Sequence, residues 1–186
     1  MKRKAPLIIV GVTGSIAAHK AADLVSSLSK KGMQLQVVMT GDAQKFISPL
    51  VFKTLSRAPV ITDLYDEEEG WKPAHIRIAD EADLLIVAPA TAHTIARFAH
   101  GFADDALSCI HLALNSDAKT LMAPAMNGKM WLHPAVQANV ALLKTRGVEF
   151  IGPDEGMLSC GYEGIGRLWP VEEIINSALN MLPNTP

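Results

Sequence analysis

Three shortages narrow what this chain can be. Cysteine occurs twice, at Cys109 and Cys160, too few for a disulfide framework and without the CxxC spacing of a structural zinc site, so no metal is expected. Long apolar runs are missing although 49% of residues are apolar, which describes a buried core rather than a membrane span. Positive charge is not in surplus: the formal net charge is −2, leaving no electrostatic footprint for nucleic acid. The basic start Met1-Lys-Arg-Lys leads into an apolar run, Leu7–Val12, that is too short for a signal peptide and has no small-residue cleavage pattern after it. A cytoplasmic protein is expected, and 186 residues suit one domain spanning 1–186.

A fourth absence concerns the first turn. Leu7–Val12 is a β-branched apolar run, as in a strand buried on both faces. Thr13-Gly14-Ser15 turns it into a helix whose apolar face is predicted to be Ile16, Ala17, Ala21, Leu24, Val25 and Leu28, and Gln34–Met39 forms the next strand. This β-α-β unit lacks G-x-G-x-x-G, and its second strand ends in Met39-Thr40-Gly41-Asp42, offering a hydroxyl where an adenosine-ribose binder would offer a carboxylate. Backbone N–H groups at the Gly14-Ser15 helix start suit a phosphate, and a mononucleotide such as FMN fits better than NAD. A turn alone is the competing reading.

Further on, Asp42 is predicted to N-cap a short helix through Phe46 and Ile47, Ser48-Pro49 to start another through Leu55, and Val60–Tyr65 to be extended. Asp66–Gly70 is a solvated charge run. His75 opens the amphipathic stretch Ile76–Ala82; it is either an ordinary helix-start residue or a general base, the role His most often fills. Leu84–Ala88 is another buried strand, and Thr91-Ala92-His93-Thr94 after it repeats the anion cradle at a second strand-to-helix turn, with N-capping by Thr91 as the plainer alternative. Asp104-Asp105 caps a helix through Leu114 in which Cys109 is a small hydrophobe; His100 and His111 are ordinary helix residues, and His133, beside Pro134, is a helix-start residue.

The densest chemistry lies in Ala123–Trp131, Ala-Pro-Ala-Met-Asn-Gly-Lys-Met-Trp, between a short strand (Thr120–Met122) and the helical stretch Pro134–Arg146. In an open parallel sheet, a strand's carboxyl end is where ligands bind. Asn127 brings amide donors and acceptors, and Met130 a thioether that packs on a flat ring, so this exit reads as a substrate clamp, with a plain strand exit in which Met130 and Trp131 only pack as the competing reading. Val148–Ile151 is expected as the last strand. Gly152–Trp169 carries five glycines and Cys160; so many glycines argue against a regular element, and a lid carrying a thiol is the functional reading, with a loose connector holding an incidental Cys as the plainer alternative. Val171–Leu182 closes the chain as a helix.

Gly-Val-Thr-Gly-Ser-Ile-Ala-Ala-His-Lys (11–20), Ala-His-Ile-Arg-Ile around His75, Pro-Ala-Thr-Ala-His-Thr-Ile-Ala (89–96), Pro-Ala-Met-Asn-Gly-Lys-Met-Trp (124–131) and Ser-Cys-Gly (159–161) occur in this order. Together they resemble the flavin-dependent cysteine decarboxylases, in particular the branch acting on phosphopantothenoylcysteine in coenzyme A biosynthesis, over essentially the whole chain. The resemblance implies a three-layer α/β fold, Rossmann-like (flavodoxin-like), with a parallel sheet and helices on both faces. It implies FMN lined by Gly14, Ser15, Ile16, Thr40, Thr91, Ala92, His93, Thr94 and Ala125, substrate held by Asn127 and Met130, His75 as base, and Cys160 as proton donor on a flap. Three positions depart from the family pattern: His19 replaces a usual Tyr, His93 a usual Asn, and Tyr162 a usual acid.

The implied reaction is oxidation at the cysteine CH2–SH carbon to a thioaldehyde, loss of CO2 to an enethiolate, then protonation and re-reduction, because CO2 cannot leave a saturated cysteine without an electron sink. The resemblance also implies a homotrimer, or a dodecamer of trimers, with flavin sites between subunits, and a separate ligase that joins cysteine to phosphopantothenate. Rival readings are a peptidyl-cysteine decarboxylase that stops at the enethiol, the related flavin prenyltransferase fold, an idle regulatory flavoprotein and a simple electron carrier. Cys160 disfavours the first, Pro124–Trp131 with His75 the second, and the full set of reactive residues the last two.

Overall fold

The computed structural model describes residues 5–65, 74–157, 161 and 163–182. The Asp66–Gly70 charge run, Cys160, Tyr162 and the final tail lie outside the described residues. Strands β1 (Leu7–Val12), β2 (Gln34–Met39), β3 (Val60–Ile61), β4 (Leu84–Ala90), β5 (Lys119–Pro124) and β6 (Val148–Phe150) form one parallel sheet in the order β3-β2-β1-β4-β5-β6. That is the Rossmann order, in which the chain reverses direction of winding between β1 and β4, rather than the flavodoxin order. The helices are α1 (Lys20–Lys30), α2 (Pro49–Ser56), α3 (Ala74–Glu81), α4 (Ala92–His100), α5 (Ala106–Ala113), α6 (Gly128–Trp131), α7 (Pro134–Thr145) and α8 (Val171–Met181).

The two-residue period of β1 sorts the layers. Ile8, Val10 and Val12 face α1, α2 and α8 through Leu24, Val25, Leu28, Phe52, Ile174 and Ile175. Ile9 faces the other side, where Ile78 of α3, Ile95 and Phe98 of α4, Leu107 and Ile110 of α5 and Leu143 of α7 complete a second core. Gly11 sits on that second side because a Cβ there would come within 2.6 Å of Leu107 Cδ1. Each fully buried Ile or Leu contributes about 1.5–3 kcal/mol, so both faces are needed to hold the sheet.

Several elements differ from the sequence-based expectation, each for a local reason. Ile16 is 58% exposed, not core: Ser15 caps a 3-10 turn over Ile16–His19 before α1 begins, and that tighter turn rotates Ile16 outward. Asp42 precedes a 3-10 turn, but its carboxylate goes to Lys45 Nζ at 2.7 Å, and Thr40 Oγ1 accepts from Ala43 N instead. Only Val60–Ile61 of the Val60–Tyr65 segment pairs with the sheet, and β4 runs on through Pro89 to Ala90.

The largest correction is in the glycine-rich segment. Asp154–Met157 (β7) and Glu163–Arg167 (β8) pair antiparallel as a hairpin, so β6 is not the last strand. Gly156 and Gly166 are extended with φ of +142°, a conformation open to glycine, and a Cβ on Gly166 would collide with Met126 O. Met126 N donates to Gly166 O at 3.0 Å. The glycines let β8 dock backbone to backbone on the turn that follows β5, so close approach and not looseness explains them.

One buried group makes stability depend on pH. The His111 ring stacks on Phe98, with centroids 3.9 Å apart, and its Nδ1 has no hydrogen-bond partner among the described residues. Burial, and secondarily the Arg146 charge, push its pKa down to about 4. The unfolded chain therefore takes up this proton near pH 6.5 while the folded one resists until about 4. Stability from this group is complete above pH 6.5 and declines by roughly 3 kcal/mol on acidification through pH 4. His111→Phe keeps an aromatic stack and removes the titration; its urea midpoint should fall less than that of the parent between pH 7 and pH 4.5.

Candidate functional site

Four strand exits converge at the carboxyl edge of the sheet. The first and third are tied together by Thr13, only 1% exposed, whose hydroxyl donates to Pro89 O at 2.7 Å and accepts from Thr91 N at 3.2 Å. Each such bond contributes about 1 kcal/mol net, and breaking the pair would leave buried polar groups unsatisfied. Ala125 N donates to Ala90 O at 3.1 Å and closes the next gap. This lattice fixes the spacing between the turns after β1, β4 and β5. Sequence reading recognised the Thr13 turn but not that the threonine fastens two strand exits.

A cavity of about 700 Å3 opens between these exits. Gly14 and Ser15 line it after β1, Thr40 after β2, Thr91, Ala92, His93 and Thr94 after β4, and Ala125 after β5. Eight of the nine positions expected to contact a flavin thus share one cavity, and Met130, expected to touch substrate, lines it too. Gly14 has no room for a side chain: a Cβ would stand 2.5 Å from Asp42 Cβ and 3.2 Å from Asp42 C. Ser15 Oγ accepts from Ala17 N and Thr91 Oγ1 from Thr94 N, so the N-capping alternative for Thr91 holds alongside its place in the cavity.

The charges around this cavity are largely paired. Arg97 reaches Asp104 at 2.9 Å and also binds Asp105, and Lys45 holds Asp42, keeping that carboxyl below its usual range by hydrogen bond and charge. Arg97 and Lys45 were not foreseen as lining residues. Arg97 follows His93 by one helical turn, so starting the helix at Ala92 would have revealed it. Cys109 lies apart from the cavity; burial, then Asp105 and Asp104, push its thiol up, and Sγ donates to Ala103 O at 3.3 Å. It stays protonated and poorly nucleophilic.

A second cavity of about 370 Å3 adjoins the first along Ser15, Ala125 and Met126. Ile16, the ninth expected flavin position, and Asn127 line it, together with His19, Lys20, Met157, Arg167 and the β8 backbone at Gly166. Asn127 is the N-cap of α6, a one-turn helix the sequence reading took for a loop, and its Oδ1 accepts from Lys129 N at 2.9 Å. That bond orients the side chain on the wall of the smaller cavity.

His75 lines neither cavity. It is the second residue of α3, half-buried. Within one chain, the expected base and the expected clamp therefore share neither of these two cavities.

A family model described as Flavoprotein matches residues 1–182. A probable phosphopantothenoylcysteine decarboxylase of Streptococcus mutans is 44% identical over 168 residues, covering 90% of this chain and 94% of that protein. The coenzyme A biosynthesis bifunctional protein CoaBC of Bacillus subtilis is 46% identical over 92% of this chain, which spans only 42% of that longer protein. Among solved structures, a PPC decarboxylase mutant complexed with pantothenoylaminoethenethiol superposes with a TM-score of 0.86 at 26% identity, covering 95% of this chain and 98% of the other. The FMN-dependent cysteine decarboxylase SpaF superposes with a TM-score of 0.82 at 32% identity, over 95% of this chain and 96% of the other.

Proposed function

The chain belongs to the flavoprotein family, and from that premise we propose that it is an FMN-dependent decarboxylase converting 4'-phosphopantothenoylcysteine to 4'-phosphopantetheine in coenzyme A biosynthesis. The observation that carries this reading is the junction of the two cavities: the Pro124–Trp131 segment lines both, with Met130 on the cofactor side and Asn127 on the other. A cofactor space with no neighbouring compartment would suit an electron carrier; the adjoining compartment suits a substrate brought against the cofactor's face.

The residues present fit FMN. A cavity of about 700 Å3 has room for FMN, with hydroxyls of Ser15, Thr40, Thr91 and Thr94 and helix-start N–H groups at the polar turns. Ala125, Met126 and Met130 supply the apolar wall a flat ring system needs. Bound FMN supplies the two-electron acceptor and donor that decarboxylation of a saturated cysteine requires.

The chain's own residues do the rest. Asn127 orients the substrate carboxylate through its amide, and Met130 packs beside it. His75 moves protons, and because it lines neither cavity of its own chain it serves the cavity of a neighbouring subunit in a homotrimer, alone or within a dodecamer. Cys160 gives a proton to the enethiolate carbon after CO2 has left, which allows a saturated product to form. Ligation of cysteine to phosphopantothenate is the preceding step, and its ligase is the partner activity. A cytoplasmic setting accords with the two-cysteine composition, and no helix among the described residues is long and apolar enough to cross a membrane.

Cys160→Ser tests the last step. The variant should bind flavin and release CO2, yet leave an unsaturated enethiol in place of the thiol product. Formation of normal saturated product by Cys160→Ser would remove this residue from the reaction.

A further inference from the structure

The smaller cavity is electrostatically unlike its neighbour. The larger one has its cations answered by carboxylates: Lys45 by Asp42, Arg97 by Asp104 and Asp105. The smaller one is lined by Lys20 and Arg167, with His19 at the rim, and no Asp or Glu appears among its described lining residues. Neither Lys20 nor Arg167 has an ion-pair or hydrogen-bond partner for its side chain among the described residues. Two cationic side chains left without counter-charge at one cavity favour an anion, and a doubly charged one most.

The placement of both groups is built into the fold. Lys20 is the first residue of α1, directly after the turn that Ser15 caps, and His19 Nδ1 donates to Ile16 O at 2.7 Å, holding that turn closed. Arg167 ends β8, and its guanidinium lies against Gly156 on the facing strand, where a Cβ would collide with Nη1. Gly156 thus makes room for a planar fork that can grip a tetrahedral oxyanion with two parallel N–H donors. Asn127 borders the same cavity, so a molecule whose carboxylate rests there can extend toward Lys20 and Arg167.

We propose that Lys20 and Arg167 form the seat for the terminal phosphate monoester of the substrate, and so set the preference for a phosphorylated arm over an unphosphorylated one or a peptide. This rests on the decarboxylase reading and deepens it. A phosphate monoester carries close to two negative charges at neutral pH, the charge this pair leaves unanswered. A peptide ending in cysteine brings no such group, and the seat then contributes nothing to its binding.

The test compares kcat/KM of the FMN-loaded enzyme for phosphopantothenoylcysteine, its dephosphorylated analogue and a short peptide ending in cysteine. The wild type should prefer the phosphorylated compound over the analogue by about 100-fold, the worth of two charge-assisted hydrogen bonds. Lys20→Gln and Arg167→Gln should each narrow that preference about tenfold, and the double variant should reduce it to near unity, with flavin absorbance and thermal midpoint as in the wild type. An undiminished preference in the double variant, or no preference in the wild type, overturns the assignment. Loss of flavin from the variants assigns the pair to the cofactor and overturns it too. A wild-type enzyme that releases no CO2 from any of the three defeats the decarboxylase reading itself, and this inference with it.

Discussion

Gly14→Ala is expected to give a folded protein that purifies with little or no flavin. The added methyl would meet Asp42 Cβ at 2.5 Å and the Asp42 carbonyl carbon at 3.2 Å, atoms at or beside the backbone that cannot swing aside as a side-chain tip would. The two turns would have to part, and both are walls of the larger cavity. Overpacking of this kind costs about 1–3 kcal/mol, and here it falls on the geometry of the binding site. FMN affinity should drop about 100-fold, equivalent to roughly 3 kcal/mol, in a calorimetric titration. Far-ultraviolet circular dichroism should be retained, because Gly14 follows β1 and contributes to neither core. Retention of stoichiometric flavin by Gly14→Ala would mean that this turn does not border the cofactor.

His75→Asn should lower kcat by about 1,000-fold, within the range general acid–base groups contribute, while flavin stays bound. The distinctive part of the expectation comes from the absence of His75 from the described lining of both cavities in its own chain. If His75 reaches the cavity of a neighbouring subunit, assemblies mixing His75→Asn with an inactive Asn127→Ala chain contain some sites with both wild-type residues. Neither variant is active alone, yet co-expressed mixed assemblies should regain a measurable fraction of wild-type turnover. Mixed assemblies as inactive as the parents would place His75 outside the shared site. Full activity of His75→Asn alone would remove it from the reaction.

Local physics made much of this legible in advance. The β-branched run Leu7–Val12, the Ser48-Pro49 and Asp105 caps and the periodicity of the closing helix all appear where the sequence puts them, because each is decided by near neighbours. The polar turns at Gly14, Thr40 and Thr91 were readable as cradles for the same reason, and the sheet gathers them into one cavity. The hairpin of Asp154–Met157 and Glu163–Arg167 was not legible. Its glycines look like looseness in one dimension, and their purpose appears only when β8 lies against Met126 and Gly128.

Ile16 shows the same limit on a smaller scale. Its spacing fits the apolar face of a helix, but the capped 3-10 turn at Ser15 changes the phase by enough to turn it toward the smaller cavity. Arg167 and Lys20 were passed over because nothing in their immediate sequence distinguishes them from ordinary surface cations. They become informative once the fold sets them 147 residues apart in sequence at one cavity with no carboxylate among its described lining. His75 is the opposite case: the sequence singles it out, and the single chain leaves it outside both cavities.

The most direct measurement of the central claim is the visible spectrum of the purified protein, taken together with the mass of the product formed from phosphopantothenoylcysteine. The account predicts a yellow protein with bound FMN and a product lighter than substrate by one CO2 and nothing else, since every electron removed is returned. A colourless protein that takes up no added FMN, or a product lighter by CO2 and two hydrogens, would contradict it.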